Sequence, residues 1–251
     1  MGEHIITEKI EKILRIEIHR PERRNAISSD EYAGIAKAIN EGEQDPSIRV
    51  MVIHGQKDYF SAGNDFKEIT IKIEPVRDYA DALIKCKKPL IGAVNGYAIG
   101  IGMTMLLHCD LVYAGESAIF RAPFVDLALC PDIGSTYILP RLVGHQKASE
   151  IFLLCEDLSS EEAYRLGLIN KVFPDDELLE RVLEIAKKLS EKPPGSVRLT
   201  KDLLKKNLAE IVEAVRTDEV INMAKRMRSR ESREIIKAKM EKRKPDFSKF
   251  K

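Results

Sequence analysis

The feature that most limits the fold is a pair of apolar runs, "RVMVIHG" at 49–55 and "PLIGAVNG" at 89–96, with the helical pattern "VRDYADALIKC" at 76–86 between them. Each run ends at a glycine and reads as a short buried strand. Strand, helix and strand in alternation make βαβ units, which build a parallel sheet covered by its crossover helices. The flanking sequence continues the pattern. "ILRIEIH" at 13–19 alternates Leu14, Ile16 and Ile18 with Arg15, Glu17 and His19, the period of a strand with one buried face, and Pro21 stops it. Ser28, with Glu31 three residues on, opens an amphipathic helix carrying Tyr32, Ile35, Ala36 and Ile39. "CDLVYAG" at 109–115, "AIFRAPF" at 118–124 and "LINKVFP" at 168–174 add strands, and "SSEEAYRLG" at 159–167 predicts a short helix with a Ser159/Glu162 capping box. From about residue 175 the pattern is helical only. The chain therefore divides into an α/β core over 1–192 and a helical region over 193–251.

Charge narrows the partners. Lys and Arg number 41 against 40 Asp and Glu, a net charge of +1, so no global field draws nucleic acid or an anionic membrane. The basic stretch "AKRMRSRESREIIKAKMEKRK" interleaves glutamates and reads as a salt-bridged helical face. "MGEHIITEKI" lacks the layout of a signal peptide, and no apolar run reaches membrane-spanning length, which points to the cytoplasm. Cys86, Cys109, Cys130 and Cys155 show no C-x-x-C pairing and read as reduced thiols. No cluster has metal-ligand spacing, no G-x-S-x-G or Ser/His/Asp set is visible, and no bound cofactor is implied.

Two glycine-bearing turns carry the chemistry. In "NGYAIGIGMTMLLHCD" at 95–110 the chain leaves a strand at Asn95, turns through Gly96, Gly100 and Gly102 and enters a helix, presenting unpaired backbone N–H groups. The third glycine of a dinucleotide fingerprint and the lysine of a phosphate loop are both missing, and glycines that merely allow close packing are the competing reading. "FSAGNDF" at 60–66 is a second such turn, exposing N–H groups around Asn64. Loops that follow parallel strands share one sheet edge, and two N–H groups from separate loops can form an oxyanion hole.

The segments "HRPERRNAIS", "FSAGNDFKE", "KKPLIGAVNGYAIGIGMTMLLHCDLVYAGESAIFRAP", "LPRLVGHQKASEIFLL" and "AYRLGLINKVFP", closed by "EKRKPDFSKF", resemble the enoyl-CoA hydratase/isomerase (crotonase) family in order and spacing over nearly the whole chain. The resemblance implies a spiral of ββα repeats, a C-terminal helical region that builds a homotrimer or hexamer, and an acyl-CoA thioester as substrate, coenzyme A entering only as part of it. It also implies that the N–H groups of Asn64 and Ile101 hold the thioester oxygen, that Arg24 lies near the adenosine phosphates, and that Ser61, Ala62, Gly63, Asn64, Asp65 and Phe66 flank the adenine and pantetheine.

The carboxylates select the reaction. Where hydratases of the family carry two glutamates, this chain has Thr104 and Phe124, which argues against simple hydration. Asp132, in "LALCPDIGSTYILP", stands where an isomerase branch has the glutamate of a "PEG" sequence and dienoyl-CoA isomerases an aspartate in "DVGT". The expected reaction is a 3-enoyl to 2-enoyl double-bond shift with Asp132 as acid and base. Hydration, hydrolysis, decarboxylation and binding without turnover remain as alternatives. Asp132 also stands where a helix over "IGSTYILP" would accept an N-cap. Asp65 and Asp126 read as structural, the latter pointing away from Asp132 if its segment is extended, and His108 as a packed core residue. Thr104, Phe124 and Tyr137 are candidates to line the substrate pocket.

Overall fold

The computed structural model describes residues 4–65, 73–206 and 208–250. Its architecture is a repeated strand, strand, helix unit. β1 (Ile5–Ile10), β2 (Ile13–Ile18) and α1 (Ser29–Gln44) form the first; β3 (Val50–His54), β4 (Tyr59–Ser61) and α2 (Ile73–Lys85) the second; β5 (Leu90–Val94), β6 (Tyr97–Ile99) and the one-turn α3 (Ile101–Thr104) the third. β7 (Leu111–Gly115) and β8 (Ile119–Arg121) lead into α4 (Ser135–Val143) and α5 (His145–Leu154). β9 (Leu158–Ser159), α6 (Ser160–Arg165), β10 (Lys171–Phe173) and α7 (Leu178–Ser190) complete the core.

β3, β5 and β7, each the first strand of its unit, enter a large sheet of order β1-β2-β3-β5-β7-β10 that also takes both strands of the first unit and β10, while β4, β6 and β8, each the second strand, enter a small sheet of order β4-β6-β8-β9. β2, β3, β5, β7 and β10 run parallel, as do β4, β6 and β8. β3 and β5 are buried along their whole length because both sheet faces are covered. Val50, Val52, Ile91 and Ala93 face Leu178, Val182 and Ala186 of α7, while Met51, Ile53, Leu90 and Val94 face the main core with α1 and α2. The strand period of two sorts neighbouring residues into separate cores.

α1 starts as its sequence predicts: Ser28 Oγ accepts from Asp30 N at 3.2 Å and the Glu31 carboxylate accepts from Ser28 N at 2.8 Å. At the start of α6 only half of the expected box forms: Ser159 Oγ accepts from Glu162 N at 3.2 Å, while the Glu162 carboxylate pairs with Lys147. Three features depart from the sequence reading. β1 pairs antiparallel with β2 across residues not read as a strand. The glycine turn is interrupted by β6, so Gly96 and Gly100 bracket a strand, and the helix entered is one turn of α followed by a 3-10 turn over Met105–His108. Residues Val125–Leu127 form a 3-10 turn instead of extended chain, and exposed Asp126 pairs with Arg121 at 3.0 Å.

α8 (Pro194–Lys205), α9 (Ala209–Met227) and α10 (Arg230–Met240) follow the core. Lys201, almost fully buried, ties α8 down by donating to Asp110 Oδ2 and Lys88 O, both at 2.6 Å. α9 lies against α4, where Val212 covers Gly134. Leu199, Leu203, Leu204, Val220, Ile221 and Met240 remain exposed on these helices.

Candidate active site

The small sheet positions the site. β4 and β6 are parallel neighbours, so the turns that follow them, 61–65 and 100–104, emerge side by side. The first turn is tightly netted. Ser61 Oγ donates to Asn25 O at 2.9 Å and accepts from Gly63 N at 3.1 Å, Ala62 N donates to Arg24 O at 3.0 Å, and Asp65 N donates to Ile27 O at 2.9 Å. Among the described residues no acceptor meets Asn64 N–H. In the second turn Gly100, at φ +56°, donates to Arg121 O, while its own carbonyl accepts from Met103 N and Thr104 N. The N–H groups of Ile101 and Gly102, at the helix start, are left without acceptors among the described residues.

The turns touch. A Cβ on Gly63 would lie 2.8 Å from Ile99 O, and one on Gly102 would lie 2.8 Å from Ser61 Cβ, so glycine at both positions is what lets the backbones approach. Two unpaired N–H donors on apposed turns are suited to a polarised oxygen. The Asn64 side chain is held as well: Tyr32 OH, from the buried face of α1, donates to Asn64 Oδ1 at 2.5 Å. The Tyr32 ring meets Tyr79 of α2 edge-on, with centroids 4.8 Å apart.

Asp132 joins this arrangement through Thr104. Thr104, one helical turn after Ile101, donates its hydroxyl to Asp132 Oδ1 at 2.6 Å. The side chain therefore does not cap α4, as the helix-start pattern allowed; Gly134 occupies the N-cap position, and the first-turn N–H groups of Gly134 and Thr136 donate to Glu219 of α9 at 2.5 and 3.1 Å. Burial pushes the Asp132 carboxyl up to about 7, the Thr104 hydrogen bond opposes this, and the Glu219 charge adds to it. A carboxyl tuned to this range can both take and return a proton near neutral pH.

The other expected residues sort by environment. Asp65 is buried against Arg20 at 3.2 Å and Arg23 at 3.6 Å, so it fixes the shape of the 61–65 turn. His108 is a core residue: its Nε2 lies 2.7 Å from Ile133 O, and burial pushes the imidazole down to about 4. Since a carbonyl can only accept, Nε2 carries the proton. Arg24 is exposed, its guanidinium over the Tyr59 ring, which stacks on Tyr97 with centroids 5.4 Å apart. Phe124 is buried in the main core, and half-buried Tyr137 lies beneath Arg141. Phe66 lies outside the described residues.

Tyr32 and Glu219 hold parts of this arrangement that sequence reasoning did not reach. Tyr32 reads as one more apolar member of the α1 face, and Glu219 lies 85 residues from the backbone it holds, within a charge-rich helix that offers no local signal. Among the described residues no group of three or more His, Cys, Asp or Glu is arranged to hold a metal ion, and no helix is long and apolar enough to cross a membrane.

A family model described as enoyl-CoA hydratase/isomerase matches residues 8–250. The chain is similar to enoyl-CoA delta isomerase 2 of Rattus norvegicus, 33% identical over 230 residues that cover 87% of this chain. It spans 59% of the length of that rat relative. It is similar, too, to 2,3-dehydroadipyl-CoA hydratase of Escherichia coli (strain K12), 32% identical over 249 residues covering 97% of this chain and 98% of that protein. A solved enoyl-CoA hydratase/isomerase from Pseudoalteromonas atlantica T6c matches with a TM-score of 0.95 at 36% identity, covering 98% of this chain and 100% of that one.

Proposed function

Because the chain belongs to the enoyl-CoA hydratase/isomerase family and has the crotonase fold, we propose that it moves the double bond of a 3-enoyl-CoA thioester to the 2-position, with Asp132 as the acid and base. The observation that carries this reading is the Thr104–Asp132 hydrogen bond, which ties a carboxyl raised to about 7 to the residue one helical turn after Ile101. In the first step the Asp132 carboxylate removes a proton from C2, and the released electron pair moves onto the thioester oxygen to give a dienolate. The N–H groups of Asn64 and Ile101 hold that oxygen, and a donor of this kind contributes on the order of 10²–10³ in rate. The protonated Asp132 then returns the proton at C4 as the C2–C3 double bond forms. The same carboxyl ends as it began, so one carboxylate suffices.

The substrate's coenzyme A would run past Arg24 and the 61–65 turn, extending to Phe66, while Thr104, Phe124 and Tyr137 border the acyl chain. The exposed apolar residues on α8 to α10 support assembly into a homotrimer or hexamer, with residues 193–251 as the assembling region and 1–192 as the core. Hydration is the second reading, favoured by the full-length similarity to the Escherichia coli hydratase. It requires water activation by carboxylates at positions that here hold Thr104 and Phe124. Incubation with a 3-enoyl-CoA in D₂O, followed by NMR and mass spectrometry, separates the two. A 2-enoyl product that disappears in Asp132→Asn establishes isomerisation, and the share of it carrying deuterium at C4 reports how often the proton on Asp132 exchanges with solvent before it is returned. A 3-hydroxyacyl product from crotonyl-CoA, formed equally by the variant, refutes it.

A further inference from the structure

The segment that carries Asp132 is bent in a way its residues resist. Ala128 and Ile133 adopt φ of +54° and +46°, and Gly134 follows at +78°. The left-handed region brings Cβ too close to the backbone for a non-glycine residue, and a β-branched residue such as Ile133 is seldom found there. Such a conformation persists only where the surroundings impose it.

Helix α9 supplies most of that imposition. Arg226 Nε donates to Ala128 O at 3.0 Å, and Cys130 Sγ lies 3.6 Å from Glu219 O. The Glu219 carboxylate, itself buried, accepts from Gly134 N at 2.5 Å, Thr136 N at 3.1 Å and Thr136 Oγ1 at 2.6 Å. Val212 packs so closely on Gly134 that a Cβ there would lie 2.7 Å from Val212 Cγ1. His108 Nε2 donates to Ile133 O at 2.7 Å. Asp132 is thus held between Ala128 and Cys130, tied to α9 on the side before it, and Ile133 and Gly134, tied to His108 and Glu219 on the side after it.

We propose that Glu219 is the positioning residue for Asp132: by gripping Gly134 and Thr136 it sets the bend that delivers the Asp132 carboxyl to Thr104, and its negative charge acts on that carboxyl across the bend. The proposal rests on Asp132 being the acid–base group. It also makes the 193–251 region part of the site, because the residue that aims the carboxyl comes from α9.

The groups that face Asp132 are Tyr32 from α1, Tyr79 from α2, Glu219 from α9 and Cys130 on its own loop. The nearby cations are engaged elsewhere: Arg216 pairs with Asp81 and Glu213, Arg226 with Glu231, and Lys205 donates to His108 O. Glu219 is the carboxylate among these groups whose charge raises Asp132.

The test follows Asp132 directly, by ¹³C NMR titration of the full-length protein labelled at aspartate carboxyls, with the Asp132 signal identified by its loss in Asp132→Asn. In Glu219→Gln the midpoint is expected to fall by about half a pH unit or more, since a repelling charge is gone. Turnover at pH 7 should drop about tenfold, with KM within about twofold, as the carboxyl loses its aim. Glu219→Asp keeps the charge but withdraws it by one methylene, so the midpoint should stay within about 0.2 units while turnover falls. A Glu219→Gln protein with unchanged midpoint and turnover, and only a lower melting temperature, reduces Glu219 to a cap on α4 and overturns the proposal. Should that variant not fold, Thr136→Val, at an exposed position, removes the 2.6 Å bond; a roughly threefold loss of turnover supports the grip and an unchanged rate refutes it. The midpoint needs no substrate. A shifted midpoint in a protein without isomerase activity upholds the positioning and rejects the reaction, and the reverse result rejects the positioning alone.

Discussion

Thr104 and Asp132, 28 residues apart in the chain, are joined by a 2.6 Å hydrogen bond in which the threonine hydroxyl donates to the carboxylate. Thr104 thereby holds the carboxyl proposed above as the acid and base. The bond favours the ionised form, opposing the burial that raises the pKa. Replacing Thr104 with valine keeps the shape and removes the donor. The acid limb of the pH–kcat/KM profile should move up by about one unit, and the rate at pH 7 should fall about tenfold, since a hydrogen bond to a charged group is worth roughly 1.5–3 kcal/mol. Thr104→Ser should restore both. An acid limb that stays in place in the valine variant would show that the hydroxyl does not tune the base.

Asp132 also predicts a stability profile. Its carboxyl is raised from the usual 3.8 to about 7, chiefly by burial, so the folded protein retains a proton that the unfolded chain releases. Stability conferred by this group is therefore present below about pH 4 and is lost as pH rises towards 7. Asp132→Asn removes the titration. Urea denaturation should find the variant more stable by about 2 kcal/mol at pH 8, with the difference shrinking towards pH 4, as expected where a site sacrifices stability for chemistry. Equal or lower stability of the variant at pH 8 would mean that the carboxyl is not held in its costly form.

What the sequence reveals depends on how local the cause is. α1 is legible because Ser28, Glu31 and the apolar face of Tyr32, Ile35 and Ile39 lie within a few turns of one another. β3 and β5 are legible because both faces are buried and every residue but His54 is apolar or small enough to show it. β4 and β6 are three residues each, too short to display alternation, and exist because Tyr59 and Tyr97 pair with each other and Tyr97 with Ile119. The destination of the Asp132 side chain is equally non-local. A helix-start pattern predicts a cap, but Glu219, from 85 residues away, takes the N–H groups and leaves Asp132 for Thr104. The turn at 61–65 was readable as a place for unpaired N–H groups, whereas the Tyr32 hydroxyl that secures Asn64 was hidden in an apolar periodicity.

Arg24 tests the path of the coenzyme. It is held in the left-handed region at φ +55°, its carbonyl accepts from Ala62 N in the 61–65 turn, and its guanidinium overlies Tyr59. A cation fixed beside this turn suits a phosphate, and its loss should weaken binding without touching the proton transfer. Arg24→Ala should raise KM for the acyl-CoA about tenfold with kcat within about twofold, and the dependence of KM on ionic strength should flatten. A fall in kcat at unchanged KM would place Arg24 in the chemistry and not in coenzyme binding.

Gly102 is the sharpest test of the apposed turns. It lies inside α3, where alanine is by propensity about 1 kcal/mol better than glycine, so an isolated helix would gain from the change. Here the added Cβ would lie 2.8 Å from Ser61 Cβ and 3.0 Å from Ser61 O, in a turn whose Ser61 is itself bound to Asn25 O and Gly63 N. Neither backbone can yield without separating the Ile101 N–H from the Asn64 N–H. Gly102→Ala should therefore lower kcat by about 10²-fold, the loss associated with one oxyanion donor, while leaving KM within a few fold. The same variant should melt within about 5 °C of the parent, because the strain is confined to one contact and helix propensity offsets part of it. Full activity in Gly102→Ala would show that the two turns tolerate separation, and the thioester oxygen would then have to be held elsewhere.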